Sequence, residues 1–457
     1  MSSFSKPLQP LSTREIFSTW WPLAFSWLLM GTELPAISAI MARLPDPEVN
    51  LAAYGGIVFP LALIIEAPII MLLAASTALS KDWLSYLKIR RFMMVMGGSL
   101  TALHLLIAVT PLYYFVVDVL IGAPPEIIEP GRIGFILMLP WTWAIAYRRF
   151  NQGVLIRFGH SRAISIGTII RLSADVIVLM VGFSVGTVPG IVVATLAVSA
   201  GVISEAIFVG IVVRPVVKNE LMPAPVISPA LTLRVFLDFY IPLAMTSLLF
   251  LLSQPMVSAA VSRMPLPLES LAVWPVVSGL VFMFRSVGMA FNEVVVALID
   301  RPLSYANLHR FTWWLAGLST AALLLTAVSP LSILWFERLS ALNPQLVVMA
   351  RQALLFALPL PVLSVVQSWY QGAILHGRIT RGVTEAVIVF LVVATVLFSV
   401  GIAWGQLPGL YIGLAVLGIS MSAQTVWLWH RSRPVLFAVR QRDEELNTTA
   451  LAEAPAD

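Results

Sequence analysis

Residues 17–43 read FSTWWPLAFSWLLMGTELPAISAIMAR, and residues 237–263 read LDFYIPLAMTSLLFLLSQPMVSAAVSR. The two stretches align without a gap when the numbering advances by 220, and nine of their twenty-seven positions are identical. Two of the identities are prolines inside long apolar runs, Pro22 with Pro242 and Pro35 with Pro255, which shared composition alone would not place. The match predicts that a broken or kinked helix opens each of two equivalent halves.

The repeat extends over nearly the whole chain. From the fourth predicted helix onward the offset is 219, and the matched pairs include Pro140 with Pro359, Gln152 with Gln371, Gly153 with Gly372 and Arg162 with Arg381. One residue was lost near the third helix. The sequence therefore consists of two copies of one half-protein.

Composition identifies the chain as an integral membrane protein. Of its 457 residues, 59% are hydrophobic and 11% are charged, with a mean hydropathy of +0.91, and these values exclude a soluble protein. Apolar runs long enough to cross about 30 Å of hydrocarbon recur along the chain, so the lipid bilayer surrounds it. The net charge of +5 comes from basic residues in short loops beside these runs, which indicates membrane orientation rather than nucleic-acid binding. We expect a monomer.

Hydropathy, with Pro, Gly and charge as boundaries, predicts twelve spans. They cover about 15–43, 52–79, 92–120, 131–157, 162–184 and 188–214, and then about 233–262, 271–299, 310–336, 349–375, 380–402 and 408–432. Because six is even, the predicted fold is all-α with two parallel six-helix halves related by a pseudo-twofold axis. The predicted domains are an N-terminal lobe (1–214), a cytoplasmic linker (215–232), a C-terminal lobe (233–432) and a disordered cytoplasmic tail (433–457).

Basic residues mark every second connection between the predicted spans. These connections and the tail hold Lys81, Lys88, Arg90 and Arg91; Arg148, Arg149, Arg157 and Arg162; Arg214, Lys218 and Arg234; Arg301 and Arg310; Arg378 and Arg381; and Arg431, Arg433, Arg440 and Arg442. The positive-inside rule places all of them, and both termini, in the cytoplasm. We expect a bacterial inner membrane, with Arg148 and Arg149 extending to its cytoplasmic surface.

Three polar residues in the first half are candidates for a cation-coupling site. Glu33, Asp175 and Thr195 fall in the first, fifth and sixth spans, about 10 to 15 Å below the predicted outer surface. Two carboxylates and a hydroxyl at one depth would suit H+ or Na+. The alternative is structural: Arg171 pairs with Asp175 one turn away, and Glu33 bonds a kink opened by Pro35. The second half has Ser253 and Ala394 at the matching positions of the two carboxylates.

A second group of polar residues lies near the predicted membrane centre. Glu66 and Arg285 stand at matching heights on the second and eighth spans, which are repeat mates. They fit a gate pair that breaks when the halves rock apart, an arginine that binds an anionic substrate, or a permanent bridge. Asn292 and Glu293 extend a polar stripe from Arg285 toward the cytoplasm, and Gln254 is a further candidate for lining a cavity.

The two-copy architecture resembles the multidrug/oligosaccharidyl-lipid/polysaccharide (MOP) flippase superfamily, which includes the MATE exporters. Glu33 and Asp175 are similar to the acidic residue on helix 1 and the acidic or amide residue on helix 5 that form the cation site of MATE exporters. Short segments also resemble the progressive ankylosis (ANK) family: YIPLA (240–244), SQPMV (253–257), VSR (261–263), AYG (53–55) and NEV (292–294). Gln254 stands where that family has a basic residue. The resemblance implies a cation-coupled transporter with a substrate cavity between its lobes, and the ANK family exports anions.

A membrane protein of this composition can be a transporter, a flippase or an enzyme. A secondary active exporter of a small, possibly anionic solute leads, and a flippase of lipids or lipid-linked glycans is the alternative. Such flippases carry a strongly cationic cavity, for which only Arg285 and Arg171 are available here. The chain has no cysteine, no metal-ligand spacing among its five histidines and no nucleotide-binding loop, so we expect no enzyme activity and no cofactor beyond a coupling ion.

The cysteine-free chain allows a direct test of the predicted topology. A single cysteine introduced at Asn219 in the linker should be labelled by a membrane-impermeant maleimide only from the cytoplasmic side, and one introduced at Glu126 only from the opposite side. Labelling of both positions from one side would contradict the twelve-span topology.

Overall fold

The computed structural model describes residues 10–377 and 381–452, so Arg378 lies outside the described residues. The described part is helical and contains no strand. Its long helices are α1 (Thr13–Met41), α2 (Pro47–Leu79), α3 (Trp83–Val109), α4 (Pro125–Leu137 with Leu139–Arg157), α5 (Arg162–Val185), α6 (Gly190–Leu221), α7 (Leu233–Val261), α8 (Pro267–Leu298), α9 (Ser304–Val328), α10 (Pro344–His376), α11 (Arg381–Trp404) and α12 (Gly409–Ala452). A short helix follows α3 (Leu112–Ile121), and another follows α9 (Leu331–Ile333 with Leu334–Leu339).

Eleven of these helices are long and apolar enough to cross a membrane, and α4 is the exception among the described residues. Its arginines lower its hydropathy: they are Arg132, Arg148, Arg149 and Arg157. Its repeat mate α10 meets the criterion. Both helices are interrupted just before an aligned proline, at Met138 two residues before Pro140 and at Leu358 directly before Pro359, because proline has no backbone N–H to continue the helical bonds. On this shared architecture α4 is the twelfth span.

Unusual backbone conformations recur at matched positions of the two halves. A positive φ angle occurs at Asp46 (50°) and at its mate Leu266 (53°), and again at Gly122 (72°) and Ala341 (50°). π-helical turns recur too, at Phe115–Ile121 and Leu334–Leu339. Positive φ is uncommon for residues other than glycine, so its reappearance at aligned positions shows that the repeat is structural as well as sequential.

The first helix of each half differs between the copies. In α1 the helix is interrupted at Thr32, between the segments Thr13–Gly31 and Glu33–Met41. In α7 one helix runs from Leu233 to Val261, with Pro242 and Pro255 inside it. The second copy has Leu251 and Leu252 where the first has Gly31 and Thr32, and leucine favours a helix more than either of these residues. The predicted interruption therefore occurs only in the first half.

The chain forms two compact units, one comprising residues up to 36, 276–403 and 411 onward, the other 37–275 and 404–410. Most of α1 thus belongs with the second-half helices, and α7 with the first-half helices. In the former unit, the indole of Trp20 donates to the Val287 carbonyl (2.9 Å) and meets the Phe311 ring edge-on. In the latter, the Tyr240 hydroxyl donates to the Pro68 carbonyl. The lobes at 1–214 and 233–432 are units of the sequence repeat and stay a prediction.

An aspartate fixes the loop before the third helix of each half. Asp82 accepts hydrogen bonds from the backbone N–H of Ser85 (2.8 Å) and of Ile227 in the linker (3.0 Å). In the second half, Asp443 on α12 accepts from the N–H groups of Leu303 (3.2 Å) and Tyr305 (2.8 Å). In the first half the linker beyond the sixth helix, and in the second half the C-terminal part of the sixth helix itself, is therefore bound to the loop between the second and third helices.

Two predicted boundaries are wrong for the same reason. The tail was expected to be disordered from 433, but α12 continues to Ala452, because Arg442 and Asp443 bind the α8–α9 loop; the Arg442 guanidinium donates to the Ile299 carbonyl at 3.1 Å. The third span was expected to begin at 92, but α3 begins at Trp83, capped by Asp82. Charged residues placed in loops by hydropathy lie on helices in both cases. Residues 453–457 lie outside the described part.

Asp82 should make stability dependent on pH. Burial raises the pKa of Asp82, but its hydrogen bonds from Ser85 and Ile227 and the charge of Lys88 outweigh this, so the pKa falls below the usual value. A depressed pKa in the folded state means that the ionised carboxylate stabilises the protein above the unfolded-state pKa of about 3.9, and that this stabilisation is lost as pH falls through the folded pKa.

We therefore expect Asp82→Asn to lower the free energy of unfolding at pH 7 by an amount on the order of 1 kcal/mol. The variant should unfold at a lower temperature than the unmodified protein. The difference should shrink as the pH is lowered below about 4. Thermal unfolding in detergent micelles measures both, with the exposed Asp118→Asn as control. A difference that stays constant from pH 7 to pH 3 would contradict the assignment.

Candidate functional site

Glu33 lies in the first turn of the second α1 segment, directly after the interruption at Thr32, and is half-buried. The N-terminal end of a helix carries a partial positive charge, which stabilises a carboxylate placed there. The interruption in α1 therefore provides a position within the span where an acidic side chain is tolerated.

Asp175 lies on α5 and is 3% exposed. Its carboxylate packs against the backbone of Gly201 on α6, since a β-carbon built at Gly201 would lie 1.8 Å from Oδ1 of Asp175. The matched positions in the second half are Ala394 and Ser420, so the carboxylate and the facing glycine are absent together. Gly201 thus makes room for a carboxylate between α5 and α6.

Thr195 is fully buried on α6, and its hydroxyl donates to the carbonyl of Ile191 at 2.7 Å. It precedes Gly201 by six residues, which is about 9 Å along the helix. Because Asp175 faces Gly201, Thr195 lies at a different height along α6 from the carboxylate and not at the one depth that the sequence predicted.

A network of buried charges lies between α4, α5 and α6. Glu205 on α6 is 1% exposed, and its carboxylate pairs with Nη1 of Arg148 on α4. It also accepts a hydrogen bond from Nε2 of Gln152 (2.8 Å), and Nε of Arg171 lies 3.6 Å away. Sharing one carboxylate between two guanidinium groups and an amide offsets part of the cost of burying these charges.

This network corrects the prediction for Arg148, which is 7% exposed and does not extend to the cytoplasmic surface. Its partner Glu205 holds it in the interior. Arg149 is half-buried and interacts electrostatically with Glu66 on α2. Arg171, predicted both as a partner of Asp175 and as a residue of the substrate cavity, also pairs with Glu205.

The second half has a neutral counterpart of the network. At an offset of 219, Arg148 matches Gln367 and Glu205 matches Gln424. Nε2 of Gln367 donates to Oε1 of Gln424 (3.3 Å) and to the Met421 carbonyl (3.1 Å). The two halves therefore link the same two helices at the same positions, the first by charges and the second by amides.

Glu66 and Arg285 belong to different compact units. Glu66 is 6% exposed and interacts electrostatically with the guanidinium groups of Arg149 and Arg148. Arg285 on α8 is half-buried, and its Nε donates to the Ser364 hydroxyl on α10 at 2.9 Å. Their pairing stays a prediction.

The polar stripe beside Arg285 divides in two. Nδ2 of Asn292 donates to the carbonyl of Ser368 at 3.5 Å. Ser368 lies one turn along α10 from Ser364, which binds Arg285, so Arg285 and Asn292 share one face of α8. Glu293 is exposed. Gln254 is half-buried on α7, in the other unit.

Ion binding and charge movement are the chemistry that these residues can support. Among the described residues, no group of three or more His, Asp or Glu side chains is placed to hold a metal. Asp175 supplies a carboxylate that H+ or Na+ can neutralise, one helical turn from the guanidinium of Arg171. Sequence reasoning missed Glu205 as the hub of the network. The signal was present, because polar residues stand at both repeat positions, Glu205 and Gln424.

No family model matches the chain, and no curated protein matches it. Solved structures do match. An inward-facing multidrug resistance MATE family transporter of the MOP superfamily shares 16% identity over 92% of this chain and 99% of its own, with a TM-score of 0.67. A mutant Vibrio cholerae MATE transporter shares 18% over 93% and 97%, with a TM-score of 0.59. The lipid II flippase MurJ, in an inward closed conformation, shares 13% over 94% and 93%, with a TM-score of 0.56.

These similarities establish the fold. The chain is an all-α membrane protein with the MATE fold, in which twelve transmembrane helices form two halves, and the predicted fold class is confirmed. The identities are too low to carry function or site residues. The resemblance to the ANK family finds no support in the comparisons.

The amide pair of the second half provides a design for testing the charged network. Arg148→Gln should strongly destabilise the protein, because Glu205 loses a charged partner; breaking a buried pair costs about 3 to 5 kcal/mol. The double variant Arg148→Gln/Glu205→Gln recreates the pairing seen at Gln367 and Gln424, and should recover more than half of that loss.

Thermal or denaturant unfolding in micelles gives the coupling energy by a double-mutant cycle. The exposed pair Arg440 and Glu444 (2.7 Å) is the matched control, and its cycle should give less than about 1 kcal/mol. Equal coupling energies in the two cycles would mean that the Arg148–Glu205 pair contributes no more to stability than an exposed ion pair.

Proposed function

We propose that the protein is a secondary active transporter that moves a small solute across the membrane by alternating access between its two halves, driven by H+ or Na+. The observation that carries the proposal is Asp175, a carboxylate enclosed in a span at a glycine that admits it. An ionisable group in hydrocarbon is costly, and such groups mark ion pathways in membrane proteins. The MATE fold supplies the architecture for alternating access.

The asymmetry between the halves supports an ion site in the first one. The charged residues Asp175, Glu205, Arg148 and Arg171 are matched by Ala394, Gln424, Gln367 and Phe390. A charge that served only packing would be expected as readily in either copy. Restriction to one copy favours a function performed once per molecule.

Coupling can arise within the first-half network. Arg171 stands one turn before Asp175 on α5 and contacts Glu205 on α6. When a cation neutralises Asp175, the field acting on Arg171 changes, and the balance of its interaction with Glu205 changes with it. Ion binding would thereby alter the contact between α5 and α6. Glu33, at the interruption of α1, is the second proposed carboxylate, and Thr195 remains a proposed member.

The remaining features of the proposal follow from the sequence. Export is the proposed direction, with both termini in the cytoplasm of a bacterium and the protein in the inner membrane as a monomer. An anionic solute fits Arg285 as a substrate-binding residue. The other candidate gate or cavity residues are Glu66, Asn292, Glu293, Gln254 and Arg171. We propose no enzyme activity and no cofactor other than the coupling ion.

A lipid or lipid-linked glycan flippase is the second candidate. Arg148 and Arg149 lie inside the protein rather than at its surface, so the first half holds more buried positive charge than the sequence analysis counted. The MurJ fold is shared as well. The exporter is preferred because Arg148 is already neutralised by Glu205.

Proteoliposomes with an imposed pH or Na+ gradient test the proposal. Asp175→Asn and Glu33→Gln should each abolish gradient-driven transport of radiolabelled organic anions and cations, because only the coupling charge is removed, while the melting temperature stays near that of the unmodified protein. The exposed Glu126→Gln serves as control and should transport normally. Unaltered transport in both variants would mean that Asp175 and Glu33 have only a structural role. Gradient-independent movement of fluorescent phospholipids would instead support the flippase.

A further inference from the structure

A cavity of about 400 Å³ lies between the beginnings of α1 and α9, within one compact unit. Its lining residues are Thr13, Arg14 and Phe17 from α1 and Arg310, Phe311 and Trp314 from α9. Two cations and three aromatic rings thus surround one space, and none of these residues belongs to the proposed transport site.

The two helix ends are held together by specific bonds. The Leu11 N–H donates to the Pro302 carbonyl (3.0 Å), and Nδ2 of Asn307 donates to the Leu11 carbonyl (2.8 Å). Further along α1, Trp20 contacts the Phe311 ring. The cavity is therefore preformed, which lowers the entropic cost of filling it.

The positive charge at this cavity is not balanced by neighbouring acids. Within the described ranges, Arg14 and Arg310 are exposed and form no hydrogen bond or ion pair. The adjacent carboxylate of Glu15 pairs with Arg301 at 3.2 Å. Thr13 and Arg14 lie in the first turn of α1, so the N-terminal dipole of that helix adds to the positive potential. The site is suited to an anion.

Exposed aromatic residues indicate that the cavity opens at the membrane–water interface. Phe17 is 44% exposed and Trp314 is 50% exposed, and Trp21 and Trp313 continue this aromatic surface. Tryptophan and arginine side chains of this kind concentrate at the level of lipid headgroups. A ligand that places an anionic group at this level and an apolar part against the aromatic side chains has to be amphiphilic.

We propose that this cavity binds the headgroup phosphate of an anionic phospholipid, with Arg14 and Arg310 as its ligands. Guanidinium groups donate paired hydrogen bonds to phosphate oxygens, and basic pockets between transmembrane helices bind anionic headgroups in this way. Phe17 and Trp314 contact the glycerol and the first acyl carbons. The bound lipid bridges the first helix of one half to the third helix of the other.

The internal repeat kept both arginines. Arg14 matches Arg234 at an offset of 220, and Arg310 matches Arg91 at an offset of 219. The aromatic walls were not kept, because Leu237 and Val95 stand at the positions of Phe17 and Trp314. The headgroup ligands are thus common to both copies of the repeat, whereas the aromatic contacts are particular to the α1–α9 site.

Titration of the purified full-length protein with phosphatidylglycerol carrying brominated acyl chains tests the proposal, with quenching of tryptophan fluorescence as the readout. Arg14→Gln/Arg310→Gln should weaken binding about 30-fold, whereas Arg14→Lys/Arg310→Lys should retain most of it. The control Arg157→Gln/Arg162→Gln removes two exposed arginines outside the cavity and should leave the affinity unchanged. Trp314→Phe should remove part of the quenching without loss of affinity.

Two comparison ligands identify the source of the phosphate. Brominated phosphatidylcholine should bind more weakly than phosphatidylglycerol, and millimolar inorganic phosphate should not displace the lipid. Equal affinities of the two glutamine variants would overturn the proposal, as would full displacement by inorganic phosphate, which would make this a site for a soluble anion. Elution of the variants as monodisperse species on size exclusion excludes loss of folding as the cause.

Discussion

The carboxylate of Glu205 is the constraint on which the first half depends. Two guanidinium groups and an amide meet at this one group in the interior of a membrane protein, where a charge left without its partner is costly. The helices α4, α5 and α6 must therefore keep the register that brings Arg148, Arg171 and Glu205 together. Gly167 and Gly201 allow that register, because their missing β-carbons leave room for the side chains of Glu205 and Asp175.

The second half shows what the same fold requires when no charge is present. Gln367 and Gln424 join the matching helices with neutral hydrogen bonds, so packing of the fold does not require ions there. The charges of the first half are then an addition to a scaffold that works without them. They cost insertion free energy, and retention of such groups is best explained by a function that responds to charge.

Placement of the first helices links this chemistry to the architecture. α1 is built into the unit that holds most of the second-half helices, through Trp20 and the bonds around Leu11, while Glu33 lies just before the point where the chain passes into the other unit. α7 is the counterpart in the other unit, attached through Tyr240. Each unit therefore contains a first helix contributed, wholly or for the most part, by the opposite half of the sequence. The cavity at Arg14 and Arg310 lies at the base of this attachment.

The sequence by itself determined the membrane environment, the helix count, the repeat and the interruption at α1, because these depend on local hydropathy, on proline and on self-similarity along one chain. It also identified Glu33, Asp175, Glu66 and Arg285 as costly residues. Only the tertiary structure decided the partners. Which of several acids meets Arg148 depends on the rotation and register of three helices, and hydropathy carries no information on either. The same limit explains the errors at Arg148, at the start of α3 and in the tail. Hydropathy assigns every charged residue to the surface or to a loop. Packing can instead supply a partner, such as the carboxylate of Glu205 for Arg148 or the α8–α9 loop for Arg442.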